Sequence, residues 1–355
     1  VKEGHNSCSL IILYKKYFVT GATGFLGRAV TRRLLTKTAD IYALVMKGDP
    51  LAADLPDGIR VCMGDVCDPS SLDAFLEGAD GESCVIHCAG IVSVASRPGE
   101  QLYNVNVGGT KNIIDACISH GVGKLVYVSS VHALAEKPKG VEIDAETDAF
   151  DPNRLVGDYA KSKAMATHAV LDAAKTSLDA SVVLPSGIIG PGDTAGGSIT
   201  ELLLSFLAGK LPIAVKGGYD FVDVRDVAAG IVACAEKGVR GKCYILSGHY
   251  ATIRDILETV GRSTGIKKAV SYLPVALAKI IAPFYELDSI RRKKKLFFTP
   301  YAVHVLQSNA LFSGKAAAKD LGYAPRSLKE TLIDTVKWLK KSHPRASLRI
   351  QKASF

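Results

Sequence analysis

The residues best placed to do chemistry are Tyr159 and Lys163, in the run Tyr159-Ala160-Lys161-Ser162-Lys163. Four positions apart in a helical stretch, they share one face. An ammonium beside a phenol stabilises the phenolate, lowering a pKa that is ordinarily about 10. A tyrosine so tuned can give or take a hydroxyl proton. The spacing alone is weak, since it arises by chance in many helices. A hydroxyl partner adds weight: the apolar run at 125–128 ends in Ser129-Ser130, where Ser130 could hold a substrate oxygen. A serine at such a place also serves as a helix or turn cap.

A second cluster lies near the start. Tyr17-Phe18-Val19-Thr20 runs directly into Gly21-Ala22-Thr23-Gly24-Phe25-Leu26-Gly27 and then into an apolar-periodic helix. Glycines at this spacing let the backbone turn sharply, approach a pyrophosphate and pack the helix on its strand. The helix amino end then faces the phosphates. A glycine turn between strand and helix is what dinucleotide binding requires, and the pattern here is GxxGxxG, not GxGxxG. After the second strand comes Met46-Lys47-Gly48-Asp49. An acid there suits a free ribose 2′-hydroxyl, a cation a 2′-phosphate. Lys47 makes NADP the expected cofactor, with NAD possible if Lys47 is only a solvated lysine and Asp49 reaches back. In Gly64-Asp65-Val66, Asp65 could accept from an adenine amino group or simply belong to a turn.

Elements that could position these groups are legible to about residue 190. Candidate strands at 17–20, 41–46, 59–63, 84–88, 125–128 and 180–184 alternate with amphipathic stretches at 26–36, 101–120 and 158–175. Strands with little polar alternation, separated by helices, predict an α/β fold: a doubly wound, Rossmann-type parallel sheet. Beyond 190 the sequence predicts a helix near 199–208, a strand pair near 212–215 and 242–246, and several more helices. The expected organisation is an extension at 1–14, a dinucleotide-binding domain at 15–190 with a returning portion near 219–248, a smaller, mostly helical substrate lobe at 191–341, and a basic tail at 342–355. Ligands of open α/β sheets sit at the carboxyl ends of the strands.

Composition narrows the options. The chain has 355 residues, 48% hydrophobic and 22% charged, with a net charge of +9. These values exclude fibrous and disordered classes. From 289 to 355 there are 15 Lys/Arg against Asp320, Glu330 and Asp334, so the surplus belongs to the carboxyl end. No nucleic-acid motif accompanies it. Most of the 8 cysteines lie in apolar runs, without CxxC or zinc-finger spacing. Reduced thiols, a cytoplasmic location and no metal are expected. The apolar run at 10–14 is too short for a signal core or a span.

These motifs together resemble the extended short-chain dehydrogenases/reductases of the NAD-dependent epimerase/dehydratase kind. The resemblance covers roughly residues 15–341, through TGATGFLG at 20–27, GDV at 64–66, VIHCAG at 85–90, NVNVGGT at 104–110, VYVSS at 126–130, YAKSK at 159–163 and FVDVRDVA at 221–228. It implies that Tyr159 is the acid/base, that Lys163 lowers its pKa and holds the nicotinamide ribose, and that Ser130 orients a substrate carbonyl. Asn106 would have a supporting catalytic place near the cofactor. The cofactor would meet Gly21, Thr23, Gly24, Phe25, Leu26, Gly27, Lys47, Asp65, Val66, Ala89, Gly90 and Ser129. Pro185, Ser186, Gly187 and Ile188 would meet its carboxamide. Dimers are common in the family, so a homodimer is expected.

Two departures point to a branch. Where nucleotide-sugar epimerases carry an arginine and an asparagine after the sixth strand, this chain has Leu184 and Gly187; where they carry a further arginine before the FVxVxDVA stretch, it has Tyr219. PSGIIGP at 185–191 and the SGKA and DLGYAP stretches near the carboxyl end resemble the dihydroflavonol-reductase and 3β-hydroxysteroid-dehydrogenase branches instead. The implied reaction interconverts a secondary alcohol and a ketone on an uncharged, hydrophobic small molecule. The alternatives are a nucleotide-sugar epimerase or dehydratase holding NAD, and a non-catalytic cofactor-binding regulator. The stretch 269–285 is apolar except for Ser271 and Lys279, with Pro274 and Pro283 interrupting it. It reads as a lid or core helix, or as a membrane-surface helix beside the basic run 291–295.

Overall fold

A computed structural model describes residues 13–37, 39–96, 99–146, 150–266 and 268–343. Most of the expected extension, most of the basic tail and Cys8 lie outside the described residues. Strands β1 (Lys16–Thr20), β2 (Asp40–Val45), β3 (Ile59–Met63), β4 (Ser83–His87), β5 (Lys124–Val128) and β6 (Ala180–Pro185) alternate with helices α1 (Phe25–Leu34), α2 (Pro69–Phe75), α3 (Gln101–Tyr103), α4 (Thr110–Ser119) and α5 (Asp158–Thr176). Then come β7 (Gly187–Ile189), α6 (Ser198–Leu207), β8 (Ile213–Val215), β9 (Gly218–Asp223), α7 (Val224–Lys237), β10 (Cys243–Leu246), β11 (His249–Thr252), α8 (Ile253–Thr264) and β12 (Ser271–Leu273). Helices α9 (Val275–Arg291), α10 (Pro300–Val305), α11 (Lys315–Leu321) and α12 (Leu328–Ser342) complete the order.

The main sheet has seven strands in the order β10-β6-β5-β4-β1-β2-β3, every neighbouring pair parallel. Successive residues of a strand point to opposite faces. Phe18 therefore packs with Val85, Leu125 and the α4/α5 side, while Tyr17 and Val19 pack with Ile86, Val126 and the α1/α7 side. Strand order reverses between β1 and β4, where Thr20 pairs with His87. This switch point opens a crevice at the strands' carboxyl ends.

Two expectations are corrected. The segment near 242–246 does not pair with 212–215: β10 joins the main sheet beside β6, and β8 pairs with β12. All four β10 residues are buried, as a strand covered on both faces must be. Pro283 does not interrupt its segment but sits inside α9, on an exposed face where water can serve the carbonyl that its missing N–H leaves free. The expected helix at 101–120 contains a π-helical stretch, Asn104–Gly109, where an added Cβ on Gly109 would stand 2.7 Å from Val66. The wide turn brings Asn106 toward the crevice.

Candidate active site

The turn between β1 and α1 is shaped by close approaches. Gly21 has φ +65°, and a Cβ there would lie 2.7 Å from the Ala89 amide; a Cβ on Gly27 would lie 2.0 Å from the Gly21 carbonyl oxygen. Gly24 precedes α1 without a side-chain cap, and the first turn, beginning Phe25-Leu26-Gly27, carries no acid. Its free N–H groups and positive dipole end suit a pyrophosphate. Thr23 donates from Oγ1 to Asp49 Oδ2 at 2.7 Å, and Asp49 Oδ1 accepts from the Leu51 N–H at 2.9 Å. Lys47 is exposed just beyond β2. The Asp65 carboxylate accepts from the Cys67 N–H at 2.9 Å, and Val66 is buried.

At the end of β4, the Ala89 N–H donates to Thr20 Oγ1 at 3.2 Å, and Gly90 leaves room for Asn106 and Lys163. Asn106 is almost fully buried. Its Oδ1 accepts from the Ile91 N–H at 2.7 Å, and its Nδ2 donates to the Ile91 carbonyl and to Ser162 Oγ at 3.0 Å each. With the amide so engaged, Asn106 fixes the loop after β4 onto α5.

Tyr159, Lys163 and Ser130 come together at the ends of β5 and α5, all buried. Ser130 Oγ is the hydroxyl beside the Tyr159 phenol and pulls its pKa down, but burial outweighs it and leaves the phenol raised. Lys163 Nζ, on the same face of α5, donates to the Val128 carbonyl at 2.8 Å and sits 5.0 Å over the Tyr127 ring. Burial lowers the Lys163 pKa to about 8, opposed by Cys88. Ser129 hydrogen-bonds Thr167 at 2.7 Å and so braces β5 on α5. Pro185 ends β6, the Ser186 N–H donates to Leu246, and Gly187 and Ile188 begin β7 against β9.

Three residues around Tyr159 were not found as a site in the sequence. His132 lies 5.9 Å, centroid to centroid, from the Tyr159 ring, stacks on Tyr219 at 5.6 Å and contacts Tyr301 at 5.9 Å. The Tyr219 hydroxyl is 3.3 Å from His132 Nε2 and the Tyr301 hydroxyl 3.2 Å from Nδ1. Burial lowers the His132 pKa to about 4, so the ring is neutral at pH 7. Val131, Leu134, Ile143, Leu155 and Phe312 extend this wall into a cavity. Tyr301 packs on Gly157, whose φ is +88° and whose added Cβ would come within 2.5 Å of the ring. The sequence holds no periodic signal linking positions 132, 219 and 301. Only Tyr219 stood out, as a tyrosine in an arginine's place.

Comparison with known proteins finds relatives over most of the chain. The profile of the "NAD dependent epimerase/dehydratase family" matches residues 17–247. Sterol demethylase protein B of Methylococcus capsulatus is 31% identical, the match covering 91% of this chain and 97% of that protein. A putative dihydroflavonol 4-reductase of Synechocystis is 32% identical, covering 91% and 94%. Among solved structures, gox2253 superposes with a TM-score of 0.79 at 30% identity, covering 93% of this chain and 99% of that one. The chain belongs to the NAD dependent epimerase/dehydratase family of extended short-chain dehydrogenases/reductases.

Proposed function

We propose that this protein is an NADP-preferring oxidoreductase that interconverts a secondary alcohol and a ketone on an uncharged, hydrophobic small molecule. The observation that carries this reading is the wall beside Tyr159. Tyr219, buried against His132 and Phe312, stands where an arginine would meet a diphosphate, and Val131, Leu134, Ile143 and Leu155 line the same cavity. A charged sugar diphosphate entering there would lose hydration and meet, among the lining residues, no cation but His304, which is already paired with Glu136 at 2.6 Å. An apolar ring would lose only water. The relatives named sterol demethylase protein B and putative dihydroflavonol 4-reductase support the same substrate class.

The glycine turn, the uncapped start of α1 and the small residues Ala89 and Gly90 fit a nicotinamide dinucleotide, which when bound gives or accepts a hydride. Asp49 is engaged through both oxygens, whereas Lys47 has no ion-pair partner among the described residues and is free to meet a 2′-phosphate. In the reducing direction Ser130 holds the carbonyl oxygen by a hydrogen bond, and the Tyr159 hydroxyl gives that oxygen its proton. Lys163, charged at neutral pH, stabilises the phenolate left behind through the field of its buried ammonium. Asn106 keeps the loop carrying Ala89 and Gly90 in register with α5. The Tyr159→Phe variant should lose at least about 100-fold in kcat, with the cofactor Kd nearly unchanged, assayed with NADPH and a panel of ketones, flavonoids and sterols. Full turnover by that variant would sink the assignment of Tyr159.

A further inference from the structure

Helix α9 inverts the usual arrangement of a surface helix, which turns apolar residues inward and polar residues to water. Its inward stripe is made of small or polar residues: Ala278, Ala282, Glu286 and Ser289 are buried. The opposite face carries Leu277, Ile280, Ile281, Phe284 and Leu287, at the i, i+3, i+4, i+7, i+10 spacing of a single stripe. All five are exposed, Phe284 to 72% and Ile280 to 63%. An apolar stripe of this length and continuity marks an interaction surface. No helix among the described residues is long and apolar enough to cross a membrane, so a span does not account for it.

The chemistry of the occupant is written at the helix's end. Arg291, Arg292, Lys293, Lys294 and Lys295 begin four residues after Leu287, the last of the stripe, and are all exposed. Arg292 pairs with Asp288 at 2.7 Å, which neutralises the acid at the stripe's border, and Lys295 reaches Glu201 at 3.6 Å. Arg291, Lys293 and Lys294 have no ion-pair partner among the described residues. A second copy of this chain fits poorly, because in a two-fold contact through α9 the bordering acid, Asp288, already pairs with Arg292, and the facing stripe offers no anion to Arg291, Lys293 and Lys294. A surface that takes apolar side chains into an oily layer and meets cations with anions fits both halves.

We propose that α9 and the run 291–295 dock this protein on an anionic lipid surface, with α9 lying in the interface plane and its Leu277-Ile280-Phe284-Leu287 stripe among the acyl chains. The contact reaches the candidate active site. Glu286, on the inward face of α9, accepts from the Ser96 N–H and from Ser96 Oγ, both at 2.7 Å, and so ties the helix to the segment leading from Ala89 and Gly90. Thr299, just beyond the basic run, donates to the Val94 carbonyl of the same segment. Docking would therefore bear on a segment continuous with Ala89 and Gly90. The proposal stands apart from the reaction, since lipid binding is read without substrate or turnover.

The test is flotation of the full chain with vesicles of phosphatidylcholine containing about one third phosphatidylglycerol, and with pure phosphatidylcholine, at about 0.1 M and about 1 M salt. The wild type should float with the anionic vesicles at low salt, and at least about tenfold less with neutral vesicles or at high salt. Ile280→Glu with Phe284→Glu should reduce binding at least about tenfold, and so should Arg291→Glu with Lys293→Glu and Lys294→Glu. These side chains are exposed, so melting curves should match the wild type, and the wild-type dependence on lipid charge needs no variant at all. Failure of the wild type to float with anionic vesicles would overturn the proposal, as would variants that float unchanged. A wild type that does not float but forms a dimer abolished by Phe284→Glu would overturn it in favour of a second copy.

Discussion

Replacing Lys163 with methionine should stabilise the nucleotide-free protein at neutral pH while destroying its activity. The amine is buried, and its pKa falls from 10.5 to about 8 because burial penalises the charged form. That fall corresponds to about 3 kcal/mol borne by the folded state wherever the amine is charged in both states. Methionine keeps the length and bulk without the charge, but it leaves the Val128 carbonyl, now bonded at 2.8 Å, without a partner, at about 1 kcal/mol. The balance is about 2 kcal/mol in favour of the variant, or roughly 3 °C in Tm for a chain of this size. The sign depends on pH. Below about 8 the full penalty stands; from about 8 to 10.5 the folded wild type sheds its proton before the unfolded chain does, so wild-type stability rises relative to the variant. Above that window only the lost hydrogen bond remains, and the order reverses. Paired melting curves across this range, alongside a loss of at least about 100-fold in kcat/KM, check both halves. A variant less stable than wild type at pH 7, or a gap that ignores pH, would refute the reasoning.

Two further outcomes follow from side chains at the edges of the site. Lys47→Ser should lower kcat/KM for NADPH by about tenfold or more and leave NADH nearly unchanged, since one charge-assisted bond to a 2′-phosphate is lost; a larger loss with NADH would reverse the cofactor reading. Gly157→Ala forces a left-handed backbone onto an alanine and drives its Cβ toward Tyr301, so it should cost roughly 2 kcal/mol. It should also raise KM for the organic substrate more than KM for the cofactor, measured by initial rates.

The sheet was legible because its strands are short apolar runs bounded by glycines and polar turns, a pattern that burial on both faces imposes. The partner of β10 was not, since four apolar residues fit a hairpin or a sheet interior equally well and only the fold decides. Glycine spacing revealed the turn at 20–27 because local backbone geometry demands it. The cluster of His132, Tyr219 and Tyr301 has no local cause: each residue belongs to a different element, and their meeting is a product of three chain crossings. Helix α9 failed in another way. Its sequence is apolar on most sides, so no periodicity could say that the small residues face the protein and the large ones face outward.

The packing of α7 across α1 has a consequence for how the chain is made. Val30 and Leu34 of α1 share one buried cluster with Val227 and Ile231 of α7, and Lys37 pairs with Glu236 at 2.7 Å. The helix that packs on α1 and covers β4, β5 and β6 on this face is therefore encoded about 200 residues after α1, and β10, the sheet's last strand, comes later still. A nascent chain ending at 190 would present bare apolar sheet on that side, a substrate for chaperones more than a folded unit. Emergence of residues 224–246 from the ribosome, not completion of the first six strands, marks the point at which this sheet can close.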